Sequence, residues 1–202
     1  MLTKEYNVCC IVICLNLCAN YIYPQVRKQS HLCHCDVLLN FQNSSLLASA
    51  SEGVTNLLER FILLVGGANA NTGEGTKEAQ QILYILDALK ECLPFLSRKS
   101  KTSILNYFKY LLDLHQPLVT RRITDGLSFL CHYPLSEVSP EALLELLNTL
   151  ARSIESNKMS GDRLTFTARL LDAGMNKVYS LNRQICVVKL PIVFNTLKGN
   201  ML

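Results

Sequence analysis

Few places in this sequence carry side chains whose types and spacing could do chemistry. His31-Leu32-Cys33-His34-Cys35 packs two imidazoles and two thiols into five residues, a zinc-like composition. A zinc site needs four ligands in a tetrahedron, usually as two separated pairs, and no second Cys/His pair follows at finger-like distance. His115 and His132 stand alone in helical segments, so accidental composition is the simpler reading and no metal is expected. The segment Gly66–Lys77 (GGANANTGEGTK) has the glycine content of a phosphate loop. A Walker loop requires Gly-Lys-Ser/Thr after a strand. Here Thr76 precedes Lys77, Glu78 follows it, and a helix leads in, so the lysine and the magnesium ligand are both misplaced. No nucleophile elbow, H-E-x-x-H or paired-carboxylate arrangement appears, and no catalytic residue or cofactor is expected.

The remaining chemistry is charge. The chain carries 20 Lys and Arg against 16 Asp and Glu, a net +4. That is too small to announce a nucleic-acid binder by itself. The distribution is uneven: residues 158–202 hold seven basic and two acidic groups, a balance of +5, whereas 36–157 come to −3. Arg121-Arg122 lies at a helix start, where cations oppose the macrodipole, so local helix stability does not account for the pair. Arg121, Arg122, Arg163, Arg169, Lys177 and Arg183 are the candidate contacts to phosphate or to a partner protein, against the reading that they are ordinary solvated helix faces. Trp is absent and aromatics make up 7%, so a platform on which successive bases stack is not expected.

These side chains need a scaffold, and composition supplies the material for one. With 202 residues, 49% hydrophobic and 18% charged, the chain has enough apolar surface to offset chain entropy, which argues against disorder. Six of the nine cysteines fall in the first 35 residues. That lopsided odd count does not look like a disulfide framework, and Cys92, Cys131 and Cys186 read as buried free thiols. The run Val8–Leu15 is too short to span a membrane. It has the length of a signal-peptide core, but Lys4 is cancelled by Glu5, and cleavage after Ala19 would place Leu17 at the −3 position. Residues 1–25 are expected to add nothing to the packed core, and 1–35 to form an atypical Cys-rich segment rather than a domain. A secreted cysteine-rich or zinc protein is an alternative that depends wholly on those residues.

From Ser44 onward the pattern is helical. Apolar residues recur at i, i+3, i+4 over Ser44–Val65, ended by Gly66-Gly67, and over Lys77–Leu96, where Pro94 should kink or shorten the end. The basic turn Arg98–Lys101 separates the latter from Thr102–Leu114. Pro117 opens the next helix, Ser139-Pro140 starts another with a capping hydroxyl, and Ser160-Gly161-Asp162 begins Arg163–Tyr179. Asn182 could cap a last helix to about Lys198, bent at Pro191. Helix pairs thus begin near Lys77, Leu118 and Asp162, 41 and 44 residues apart. A period of about 40–47 residues built from helix pairs points to HEAT or armadillo repeats, and an irregular α-helical domain is the alternative. The expected fold class is an all-α, HEAT/armadillo-like helical-repeat solenoid segment over residues 36–202.

The stretch from LLASASEGVTNLLERF to ALKECLPFLS, then QPLVTRRITDGLSFLC, then SPEALLELLNTLARS to KLPIVFN, resembles plant-type members of the ribosomal-RNA-processing protein 12-like family. The resemblance runs over about residues 36–198 and rests on irregular segments such as Gly66–Lys77 and Asn157–Asn182 as well as on leucine spacing. It implies a nucleolar and nuclear helical-repeat protein, not an enzyme. Its implied partners are pre-ribosomal RNA and pre-ribosomal proteins, with nuclear-transport factors as a further class, in pre-ribosomal RNA maturation and subunit export. No membrane and no small-molecule substrate are implied. A nuclear-transport-type adaptor that holds protein cargo without touching RNA is the alternative. Residues 1–25 resemble nothing in the family and its pattern continues past Lys198, so the chain reads as an internal segment of a longer protein.

Overall fold

Capping side chains at Ser97, Ser139 and Asn182, and a proline at the start of α-helical residues 117–132, set where several helices of this chain begin. The structure, a computed structural model, describes residues 23–40, 51–52, 55–56, 59, 77–133, 137–156, 161–188 and 195. Their main elements are α1 (Pro24–Asn40), α2 (Lys77–Cys92), a 3-10 turn (Leu93–Phe95), α3 (Arg98–Leu112), α4 (Pro117–His132), α5 (Pro140–Ser156) and α6 (Gly161–Leu181). A short helical run follows at 183–188, and no strand occurs among the described residues. The all-α expectation therefore holds. Helices α2, α4 and α6 start 40 and 44 residues apart, close to the period read from the sequence. The expected helix Ser44–Val65, the glycine-rich segment 66–76 and residues 1–22 lie largely or wholly outside the described residues. Position 35 falls inside α1, which continues unbroken to Asn40.

Ser139 and Pro140 start α5 as a cap should. Ser139 Oγ accepts the Ala142 amide at 3.3 Å and donates to Glu141 Oε2 at 2.9 Å, while Pro140 occupies the first position, where no amide donor is needed. Asn182 Oδ1 accepts the amides of Gln184 and Ile185 at 3.1 and 3.3 Å, starting the run at 183. Pro94 ends α2 by turning it into the 3-10 segment. One expectation is corrected: Arg98–Lys101 is not a separating turn but the first turn of α3. Ser97 Oγ accepts the Ser100 amide at 3.2 Å, which fixes the helix start there, and Lys101 folds inward to donate from Nζ to the Pro94 carbonyl at 3.2 Å. α3 ends at Leu112 rather than Leu114, because His115 adopts the left-handed conformation (φ 53°) and its amide donates back to Leu112 O at 3.1 Å.

The chain divides into two compact units, Met1–Ile104 and Leu105–Leu202. In the first, α1 packs on α2, and the 3-10 turn packs on both. Leu38, Ile82, Ile85, Leu86, Leu89, Leu93 and Leu96 are buried there. Ser51 is also buried, and its Oγ accepts the Ser97 amide at 2.9 Å across 46 residues.

In the second unit α6 packs against both α4 and α5, the arrangement of a helix laid across the preceding pair of a repeat. Ile123, Leu127 and Leu130 of α4 and Leu143, Leu146, Leu147 and Leu150 of α5 are completely buried; Leu170, Leu171 and Val178 supply the facing side of α6. The closest approach is at Gly174: a Cβ there would lie 2.7 and 2.8 Å from the two methyl groups of Leu147, so α6 reaches α5 only because this residue has no side chain.

Gly174→Ala gains about 1 kcal/mol of helix propensity but overfills a closed contact, at a cost of roughly 1–3 kcal/mol, so we expect a net loss of stability. In a Leu147→Ala background the obstruction is gone and Gly174→Ala should become stabilising. Urea unfolding of the four proteins of this cycle measures that reversal of sign, and a glycine substitution equally harmful in both backgrounds would place the constraint elsewhere.

Candidate functional site

All six candidate basic residues belong to the second unit, and the structure gives them different settings. Arg121 is exposed on the first turns of α4, and Arg122 beside it is half-buried. Arg169 is exposed on α6, and Arg183 is exposed at the start of the following helical run. Arg163 and Lys177 are engaged within the fold.

Arg163, in the first turn of α6, reaches across to α4. Its guanidinium donates to Thr124 Oγ1 at 2.7 Å, to Asp125 Oδ1 at 3.4 Å and to the Arg121 carbonyl at 3.5 Å. It also lies over the Phe166 ring, 5.0 Å from the centroid. The planar five-donor fork suits this task, since three acceptors of different type are held at once. The ion pair with Asp125 is partly screened, with both side chains about a quarter exposed. Geometry assigns Arg163 to holding α6 on α4.

Lys177 is turned inward and almost wholly buried. Its Nζ donates to the Tyr133 carbonyl at 2.9 Å, just past the end of α4, where carbonyls lack helical partners and the macrodipole is negative. Cys131 lies close enough for the two groups to feel each other. Burial lowers the Lys177 pKa, partly offset by Cys131, and burial raises the Cys131 thiol to about 12, partly offset by the lysine charge. Cys131 and Cys186 are buried free thiols, and Cys33 is half-buried and free. The side chain of Cys92 lies outside the described residues.

Arg121, Arg169 and Arg183 present their charge to solvent. Arg183 lies over the ring of Tyr179, 5.6 Å from its centroid, across the break at Asn182. The neighbourhood is unusually apolar for an exposed surface: Tyr179 is 47% exposed, Val187 70% and Val188 72%, with Leu181 also exposed. Sequence reasoning named Arg183 but missed this stack. The i, i+4 spacing of Tyr179 and Arg183 was the available signal, hidden by the helix break between them.

His31, Cys33, His34 and Cys35 lie on α1. The side chains of His31, His34 and Cys35 are outside the described residues. Among the described ones, no group of three or more His, Cys, Asp or Glu is placed to hold a metal ion, and no helix is long and apolar enough to cross a membrane.

Comparison with known proteins gives one match. The family model described as RRP12-like, N-terminal HEAT repeats, matches residues 13–138. The matched range starts well before residue 36: it takes in residues 13–25, part of the stretch 1–25 expected to resemble nothing in the family, and it includes α1 through α4. No curated protein and no solved structure matches the chain.

Two outcomes separate the inward groups from the outward ones. Lys177→Met should lower stability by about 1.5–3 kcal/mol, the worth of a hydrogen bond from a charged donor, whereas Arg169→Ala should leave the thermal midpoint almost unchanged. The Cys131 thiol keeps its proton in the fold while the unfolded chain loses it above pH 9, so its contribution is complete below pH 9 and is lost as pH rises toward about 12. Chemical unfolding at pH 8 and pH 10.5 should show a smaller alkaline loss for Cys131→Ala than for the parent. Lys177 acts in the opposite sense: its lowered pKa makes stability rise with pH up to its unfolded value of 10.5.

Proposed function

The chain belongs to the RRP12-like family, and on that premise we propose that it is a non-enzymatic helical-repeat scaffold segment of a ribosome-biogenesis factor, acting in pre-ribosomal RNA processing and in maturation and export of the subunits. The setting proposed is the nucleolus and nucleus, and the partners are pre-ribosomal RNA and pre-ribosomal proteins. One observation carries the RNA contact: Arg121 on α4, Arg169 on α6 and Arg183 on the following run all stand exposed in one unit, the last two within the basic stretch 158–202. A repeat array offers an extended surface for a large ligand, and guanidinium groups spaced along it neutralise phosphates without reading sequence. Arg122, half-buried next to Arg121 in sequence, is a further candidate. Arg163 supports the same surface by holding α6 on α4, and Lys177 by closing the end of α4.

A second reading has its own observation. Val187 and Val188 are exposed aliphatic side chains four and five residues along the chain from Arg183, a composition that suits a protein partner, such as the cargo of a transport adaptor or a nuclear-transport factor.

RNA affinity should fall steeply with salt, and each phosphate-contacting arginine removed should reduce the log–log salt slope by about 0.7–0.9. Arg121→Ala and Arg169→Ala, measured by fluorescence anisotropy on a pre-ribosomal RNA fragment, are expected to do so, and Lys177→Met is not. Binding indifferent to salt and to both arginine changes would remove the RNA contact. Crosslinking in cells that recovers protein partners but no pre-ribosomal RNA would favour the adaptor.

A further inference from the structure

From the exposed stack at the end of α6 we infer that Tyr179 and Arg183 form a stacking point for one unpaired RNA base, so that the RNA bound by this surface is single-stranded. This rests on the RNA-binding reading above and makes it specific. A phenol ring at 47% exposure with a guanidinium 5.6 Å from its centroid is an amphipathic pair of flat groups, both open to solvent. Aromatic rings and arginine planes are the two surfaces on which proteins lay splayed-out bases, and one such contact needs no multi-aromatic platform. The surroundings fit a base better than a phosphate. Leu181 is exposed nearby in the chain, and Val187 lies one turn beyond Arg183, so a base edge settling there would cover apolar surface that otherwise faces water.

The same helix supplies a place for the backbone. Arg169 is exposed ten residues before Tyr179, about 15 Å along the axis of α6. Asp172, between them, is the acidic group a strand must skirt, and it accepts a hydrogen bond from Asn176 Nδ2 at 3.4 Å. A single strand lying along α6 can place a phosphate at Arg169 and a base at Tyr179. A duplex cannot, because its bases are already stacked on one another and closed to a side-chain ring.

The test uses the full chain with three fluorescent RNA probes of equal length: a single-stranded oligoadenylate, a duplex, and an abasic single strand. The parent protein should bind the oligoadenylate best. Tyr179→Ala should weaken that binding about 5- to 150-fold, the range expected for one base–aromatic stack. The duplex and abasic probes should be unaffected, and so should the salt slope, since no phosphate contact is lost. Tyr179→Phe should retain parental affinity, which also guards against a misfolded alanine variant. The stacking point is overturned if Tyr179→Ala leaves oligoadenylate binding unchanged, or weakens all three probes equally. In both cases RNA binding through the arginines still stands. If the parent chain binds none of the probes, the RNA-binding reading fails and the stacking point with it, leaving the surface to a protein partner.

Discussion

A pair of short amphipathic helices cannot bury both of its apolar sides by itself, and the rest of this structure depends on that constraint. Each pair must find its other half one repeat away. Here α6 lies on α4 and α5 together, and the polar ties follow the same interval: Ser97 to Ser51, Lys109 to Glu145, Arg163 to Thr124 and Asp125, Lys177 to Tyr133. These span 36 to 46 residues, which is one repeat. Leucines supply most of the burial, but a leucine face is tolerant of sliding. The more buried of these hydrogen bonds and the Gly174–Leu147 contact are less tolerant, and they fix how the helices they join are set against each other, while the exposed Lys109–Glu145 pair adds little. The proposed RNA contact requires that fixed setting, because Arg121, Arg169 and Arg183 can act on one ligand only if α4, α6 and the following run hold their register.

Much of this architecture was legible in the sequence, for physical reasons. Helices α2 to α6, of 15 to 21 residues, leave a clear 3.6-residue signature, and Pro117, Ser139-Pro140 and Asn182 act through local chemistry that a sequence displays directly, whereas α1 has almost no apolar periodicity and no helix is read over it. The turn Arg98–Lys101 was misread for an equally physical reason. A run of cations near a helix start looks unfavourable until Lys101 is seen to bury its ammonium against the Pro94 carbonyl, a contact that composition cannot show. Site residues were legible only as charge. That Arg163 is a bridge and Lys177 an internal donor depends on partners some forty residues away, and no local pattern distinguishes them from Arg121 or Arg169, which face water. Gly174 is intrinsically poor for a helix interior, yet its place in the fold is a point of close packing.

Lys101 and Lys177 deserve comparison as a pair, because both do the same thing. Each ammonium leaves the surface to bind a backbone carbonyl next to a proline or a helix end, at Pro94 and at Tyr133. Long stems let lysine bury its methylenes in the apolar core while the charge meets a backbone oxygen at a helix end. Two of the chain's twenty basic groups are thereby removed from any surface electrostatic role. The outward charge of a helical repeat is therefore smaller than its formal count, and the exposed arginines make up a larger share of it.

The reach of the polar ties also sets a timetable for biosynthesis. A contact that spans about one repeat can close once some forty further residues have left the ribosome, and it need not wait for the end of the chain. At roughly 5–20 residues per second, that is a delay of about 2–8 seconds for each new pair. During that interval the newest helices carry their leucines unpaired, while all earlier ones are already covered. The nascent chain thus exposes only one repeat's worth of sticky surface at a time, and the sequence separation of Arg163 from Thr124, or Lys177 from Tyr133, measures how long that exposure lasts.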